Sequence, residues 1–208
     1  SAFANGEYDI MIGTQMVAKG LDFENVTLVG VLAADTEING GDYLSSEKAF
    51  DLLTQVVGRA GRGENKGLAV IQTIEPDSSL IKMAQQQNYD AFYDNEIYIR
   101  KFMVYPPYCD ICAITFSGDN ENITLASSRC FLFGIKSASE EIYTDLKLIV
   151  LGPMPPRIGK IGGKFRYRII VKCQNNKRFR DMIRDIIQRF SKTKDFKDIS
   201  VSIDFNPE

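Results

Sequence analysis

Hydrophobic positions along the 208-residue chain change their pattern midway. In the first half, short β-branched runs alternate with helical periodicity. Residues 8–13, 26–35 and 68–74 are nearly continuous in apolar character, which predicts strands of a parallel sheet covered on both faces. Ala49, Leu52, Leu53, Val56 and Val57 recur at helical spacing behind Ser45 and Ser46, which can serve as N-caps, and predict a helix running to about Gly58. Residues 78–86 and 89–103 predict two further helices. Tyr105-Pro106-Pro107 then interrupts the pattern, because proline ends a helix and extends the residue before it. A domain boundary is expected there, dividing the chain into 1–104 and 105–208.

The second half predicts strand, helix, strand, strand, helix, strand over 109–117, 121–143, 147–151, 165–173, 177–190 and 198–205. That order is the split βαβ, or ferredoxin-like, arrangement, with two helices on one sheet face and the other face open. The fold class expected is therefore α/β, with a mostly parallel first domain and a ferredoxin-like βαββαβ second domain. The aromatic residues Tyr89, Phe92, Tyr93, Tyr98, Phe131, Phe133 and Tyr143 are most simply core residues of helices and their ends. Phe165 and Tyr167 alternate along a strand, where packing and base stacking are equally open.

Composition adds two constraints. No apolar run is long enough to span a bilayer, and the chain opens without a charged-then-apolar leader, so membrane and secretory roles are not expected. Four cysteines without a single histidine fit a reducing compartment, expected to be the cytoplasm, and Cys109-Asp-Ile-Cys112 lacks the partners of a structural zinc site, so no metal is expected on this chain. Charge is uneven: between Arg157 and Lys194 there are 13 Lys and Arg against two Asp, within a chain of net charge −2. Such a stretch suits a polyanion or an acidic peptide; a solvated basic face is the plainer alternative.

Chemistry concentrates in two glycine-bearing segments. In Gln55-Val-Val-Gly58-Arg59-Ala-Gly-Arg62-Gly, a helix runs into a glycine-rich turn holding two arginines three residues apart. A guanidinium is a permanently charged planar fork suited to phosphate oxygens. Delivered to a γ-phosphate, it offsets charge that builds in the transition state and contributes about 10³–10⁵ in rate. A helix C-terminus capped by Gly and Arg is the bland reading. Upstream, Gly13-Thr14-Gln15-Met-Val-Ala-Lys19-Gly20-Leu-Asp22-Phe follows an expected strand, so it falls at the carboxyl end of a sheet, where open α/β folds bind ligands.

Together the two segments resemble motifs V and VI of superfamily-two helicases. The resemblance narrows to the family of the bacterial primosomal replication-restart helicase PriA. It is carried by Y-D-I-M-I-G-T-Q-M-V-A-K-G-L-D-F over 8–23, L-T-Q-V-V-G-R-A-G-R over 53–62, Y-D-A-F from Tyr89, Y-P-P-Y from Tyr105, L-G-P-M-P from Leu151 and K-F-R-Y-R-I-I-V-K from Lys164. It implies that residues 1–104 are the C-terminal part of a RecA-like lobe two. Gln55, Gly58, Gly20 and Asp22 would line an ATP cleft, with Asp22 at the ribose. Arg62 would be the leading arginine finger and Arg59 its partner. Thr14, Gln15 and, less directly, Lys19 would couple the cleft to DNA.

Residues 105–208 would form a DNA- and protein-binding domain. Lys164, Arg166 and Arg168 would contact nucleic acid, and Arg178 would meet the acidic tail of single-stranded-DNA-binding protein. Forked and single-stranded DNA and other primosome proteins are the further partners implied. ATP and Mg²⁺ would be held mainly by a first lobe. The phosphate-cradling loop GxxxxGK[ST] and the acidic helicase motif do not occur in this sequence. The resemblance places them, with the family's zinc-binding cysteines, upstream of Ser1, so the chain alone is expected not to turn over ATP. Another superfamily-two helicase acting on RNA, or a binding module with an inert motor remnant, are the other readings.

Overall fold

The computed structural model describes residues 2–3, 5–14, 26–59 and 67–207, with the backbone alone at Arg59. The chain divides into two compact units, Ser1–Ile99 and Arg100–Glu208.

In the first unit, β1 (Leu28–Val31) and β2 (Leu68–Ile71) form a parallel pair in the register Leu28↔Leu68 to Val31↔Ile71. Among the described residues four helices accompany them: α1 (Asp35–Ile38), α2 (Ser45–Arg59), α3 (Ser79–Gln85) and α4 (Tyr89–Met103), the last crossing the division between the units. One sheet face turns Val31 and Ile71 toward a core of Ala34, Phe50, Leu53, Ile81, Ala84 and Phe92. Phe50 of α2 and Phe92 of α4 stack with ring centroids 4.1 Å apart. Local signals explain the helices. Asn88 Oδ1 accepts from the Ala91 amide at the start of α4, and Ser78 Oγ accepts from the Ile81 amide at the start of α3, each satisfying an otherwise unpaired donor.

Four expectations fail in this unit. Residues 8–13 are irregular rather than a strand, with Tyr8, Ile10 and Ile12 exposed. A strand exists only where a neighbour accepts its ladder, and no described residue pairs with this one. The sheet is not covered on both faces: Leu28, Leu68 and Val70 are exposed, because the described helices pack on one side only. Ser45 lies inside the first turn of α2, and Asp42 performs the turn before it by accepting from the Leu44 amide. Of the α4 aromatics only Phe92 is core; Tyr89, Tyr93 and Tyr98 are exposed. A fifteen-residue helix has one buried stripe, and Phe92 alone points into it.

The second unit is a four-stranded antiparallel sheet in the order β4-β6-β3-β7, the ferredoxin-like arrangement. Its elements are β3 (Asp110–Gly118), α5 (Glu121–Glu141), β4 (Ile149–Met154), β5 (Lys160–Ile161), β6 (Lys164–Cys173), α6 (Lys177–Phe190) and β7 (Ser200–Phe205), and β5 adds a short hairpin to β6. β3 and β6 pair without interruption from Asp110↔Cys173 to Gly118↔Phe165. Residues alternate between faces along a strand. Cys112, Ile114 and Phe116 of β3 and Ile169, Val171 and Cys173 of β6 share a core with Phe131 and Ile135 of α5 and Phe179, Met182 and Ile186 of α6. Phe116, Phe131 and Phe190 meet edge-on at 5.4–6.0 Å, a geometry that adds about 0.5–1.5 kcal/mol per pair beyond area burial. Asn120 and Asn176 cap α5 and α6 through Oδ1.

Phe133 is 71% exposed rather than core, because it lies off the α5 stripe that holds Phe131 and Ile135. Gly152, at φ +98°, is a position that requires glycine: a Cβ there would come within 2.7 Å of the Arg168 carbonyl oxygen. The C-terminal strand is fastened by side chains. Asp110 accepts from the Asn175 amide and from Asn206 Nδ2, and Asn206 Oδ1 accepts from the Ile111 amide.

Candidate functional site

The described part of the helicase-like segment is α2. Its apolar stripe, Ala49, Phe50, Leu53 and Val56, is buried. Opposite runs a polar stripe at helical spacing: Asp51, Thr54, Gln55 and Gly58. These four line a shallow cleft with Phe50, Gln87 and Tyr89. Gln55 is exposed, and Gly58 lies against Gln87, whose Nε2 would be 3.3 Å from an added Cβ. The cleft thus contains two of the residues marked in the sequence and adds Asp51, Thr54, Gln87 and Tyr89. Asp51 and Thr54 were legible as the i−4 and i−1 neighbours of Gln55 on one helix face; Gln87 and Tyr89 come from a different element.

Arg59 closes the last turn of α2, and its side chain lies outside the described residues, as do Arg62, Gln15, Lys19, Gly20 and Asp22. Thr14 is described and exposed. The carboxyl end of the β1–β2 pair is organised by Asp35, which accepts from Thr73 Oγ1 at 2.9 Å and the Ile74 amide at 2.9 Å. The Ile74 amide, then the Thr73 hydroxyl, hold its carboxyl below the usual range. Asp35 joins α1 to the segment after β2, a role its place at the end of an expected strand did not reveal.

In the second unit the strand alternation sorts β6 cleanly. Phe165 and Tyr167 share the face of Ile169 and Val171, on the helix side. Tyr167 donates to Glu121 at the start of α5, and Lys160 sits 4.2 Å above the Phe165 ring. The two rings pack instead of offering a stacking platform on the free face. Lys164, Arg166 and Arg168 project from the opposite face at two-residue spacing. Lys164 is exposed and the two arginines half-buried, with Arg168 Nε donating to Thr115 Oγ1 at 3.2 Å. Cross-strand partners on that face include Ser117, Thr115 and Ser202, so hydroxyls flank the cations; Asp204 of β7 lies one strand beyond. A row of fixed cations with adjacent hydroxyls can follow a phosphodiester backbone.

Lys172 continues the same row but serves the fold. It is only 6% exposed, its Nζ donates to the Met103 carbonyl at 2.6 Å, and it lies 3.6 Å above the Tyr105 ring. Burial holds its ammonium below the usual lysine range. Arg178 is likewise committed in part. It pairs with Asp145 at 3.2 Å, donates to the Ile142 carbonyl and covers the Tyr143 ring, while Tyr143 donates to Asp185. Cys112 and Cys173 are buried, and burial pushes each thiol up to about 12, while Cys130 is exposed on α5.

Family comparison agrees with this two-part layout. Residues 1–64 match the helicase conserved C-terminal domain, and residues 101–208 match the primosomal protein N C-terminal domain. The molecule is therefore helicase-type, with a primosomal C-terminal domain in tandem. Replication restart protein PriA of Bacillus subtilis is 38% identical over 207 residues, covering 100% of this chain and 25% of the relative. The Borreliella burgdorferi protein of that name is 33% identical over 205 residues, 99% of this chain and 30% of the relative. The Synechocystis one is 39% identical over 170 residues, 82% and 20%. The chain belongs to the PriA family of replication restart proteins, and it spans between a fifth and a third of the length of these relatives. Among the described residues, no helix is long and apolar enough to cross a membrane.

Proposed function

We propose that this chain is the C-terminal portion of an ATP-dependent 3′–5′ DNA helicase that acts in the cytoplasm to restart stalled replication forks. The observation that carries the reading is the tandem itself: a helicase C-terminal match over 1–64, followed along the chain by the primosomal domain over 101–208. The first unit contributes to an ATP cleft completed by another lobe. Gln55 and Gly58 fit that role, being on the polar stripe of α2 that lines an open cleft. Arg62 is the leading finger onto the γ-phosphate and Arg59 its partner. Asp22 and Gly20 bind the nucleotide, with Asp22 at the ribose. Thr14, Gln15 and Lys19 link the cleft to the DNA strand. The bound nucleotide brings Mg²⁺ and the scissile phosphate. A guanidinium at that phosphate offsets negative charge on the transferring group without moving a proton, which is why arginine rather than lysine suits the position.

The second unit binds forked and single-stranded DNA through Lys164, Arg166 and Arg168 and recruits acidic partners, including the tail of single-stranded-DNA-binding protein, through the region of Arg178. Other primosome proteins assemble on the intact molecule. The test is Arg62→Ala and Arg59→Ala in the full-length protein that contains this chain. DNA-stimulated ATP turnover should fall by about 10³ or more for Arg62→Ala, with nucleotide affinity changed far less. Unchanged turnover in both variants would remove the arginines from the mechanism. The 208-residue chain alone should show no turnover above background; stoichiometric turnover stimulated by forked DNA would contradict the proposed division of labour.

A further inference from the structure

The β5–β6 hairpin is built unlike the rest of the second unit. Its turn is Gly162-Gly163, with φ of +56° and +81°, the left-handed pair that closes a tight two-residue hairpin. A Cβ added at either glycine would meet nothing within 4 Å, so the tip projects clear of all described packing. The stem is cationic: Lys160 and Lys164 belong to it, Arg157 precedes it in the chain, and from Leu146 to Arg180 the sequence has no Asp or Glu. Yet two large aliphatic side chains stand in solvent here, Ile158 just before β5 at 60% and Ile161 next to the turn at 51% exposure. Ile161 faces Lys164 across the turn, which puts it on the same sheet face as Arg166 and Arg168.

Exposed isoleucines on a free-standing cationic hairpin contribute nothing to this unit's core. A water-exposed β-branched pair beside three cations instead matches a ligand whose surface alternates anionic and apolar. A nucleic acid does so: phosphates outside, base faces inside. Proteins that bend or open a duplex insert aliphatic wedges between base steps and hold the flanking phosphates with basic side chains.

We propose that the β5–β6 hairpin is a base-unstacking wedge. Lys160, Lys164 and Arg157 take phosphates on either side of a step, and Ile158 and Ile161 occupy the space of a displaced stacking neighbour. The site rests on the reading that this unit binds nucleic acid, and it adds a role in deforming the DNA to that of holding it. Strand openings with one unstacked face, such as the junction of duplex and single strand, are its preferred targets, because part of the stacking energy has already been lost there.

The experiment uses the 208-residue chain and forked DNA carrying 2-aminopurine at the duplex–single-strand junction, with a second fork labelled in the duplex interior. Binding is followed by anisotropy and unstacking by 2-aminopurine fluorescence. Saturating wild-type protein should raise junction fluorescence severalfold and leave the interior label nearly unchanged. Ile158→Ser/Ile161→Ser should bind within about two-fold of wild type, since phosphate contacts dominate affinity, and lose the fluorescence rise. Lys160→Ala/Lys164→Ala should weaken binding and lower the salt slope by about two. Thermal melting checks that the variants remain folded.

Binding with no junction signal, or an equal signal from the isoleucine variant, overturns the wedge and leaves the DNA-binding reading standing. No binding at all overturns both. A polyglutamate peptide whose affinity falls in the isoleucine variant while the fluorescence rise persists would assign the hairpin to an acidic peptide instead.

Discussion

The two units obtain their order in different ways. The second closes on itself: a four-stranded sheet, two capped helices and a single core in which Phe116, Phe131, Phe179 and Ile169 are essentially inaccessible to water. Asp110, Asn175 and Asn206 lock its last strand to its first. In the first unit two parallel strands lean on helices from one side, and Leu28, Leu68 and Val70 face solvent on the other. Its core is a helix-to-helix contact, the Phe50–Phe92 stack with Leu53, Ile81 and Ala84, more than a sheet. Both sheets leave one face free, but the covered face of the second is shared by four strands, whereas among the described residues the first pairs only two. The first unit therefore depends on a few helix-to-helix aromatic contacts, and the second on a continuous core shared by sheet and helices.

The comparison breaks most visibly at the cores. Phe116→Ala should cost the second unit about 3–5 kcal/mol, whereas Phe50→Ala should abolish a separate cooperative transition of the first. Denaturant unfolding of the 208-residue chain, followed by tyrosine fluorescence, reads both. A first-unit transition that survives Phe50→Ala unchanged would show that its stability lies elsewhere than the Phe50–Phe92 stack. Gly152→Ala is the next largest effect, about 1–3 kcal/mol in the second unit, because alanine must adopt φ near +98° with its methyl against the Arg168 carbonyl. Hydrogen exchange should localise that loss to β4 and the neighbouring end of β6, and protection unchanged there would refute it.

The smallest effect is set by pH. The Asn175 amide and Asn206 amide hold the Asp110 carboxyl below its ordinary range. Its contribution is complete above the unfolded value, near 3.9, and is lost as pH falls through the lower folded value. Between pH 5 and pH 2 the second unit should lose stability more steeply in wild type than in Asp110→Asn. Parallel pH profiles of the denaturation midpoint would show that this lock contributes nothing.

Much of this architecture was legible before any coordinates. The helix expected over 89–103 is α4, Tyr89–Met103, and the helix expected over 177–190 is α6, Lys177–Phe190; the caps Asn88 and Asn176, which the expectation did not use, fix their starts. The βαββαβ order followed from alternating periods of two and 3.6 separated by turn residues. Of the site, Lys164, Arg166 and Arg168, and Gln55 with Gly58, were singled out by the family resemblance; the structure places the three cations on one face of β6 and Gln55 and Gly58 on one side of α2.

Other features depended on what stood opposite. Spacing could place Phe165 and Tyr167 on one face of β6 and the cations on the other, but only α5 and α6 decided that the aromatic face is the covered one. Lys172 reads as one more cation, yet the Met103 carbonyl and Tyr105 ring make it an internal post. Residues 8–13 have the composition of a strand without a ladder, and Phe133 and Tyr98 have the hydrophobicity of core residues without a surface to meet. The sequence by itself determined local conformation and periodicity, because caps, turns and side-chain spacing act within a few residues. The tertiary structure decided burial, partner choice and which cations remain available, because these depend on the surface opposite each side chain.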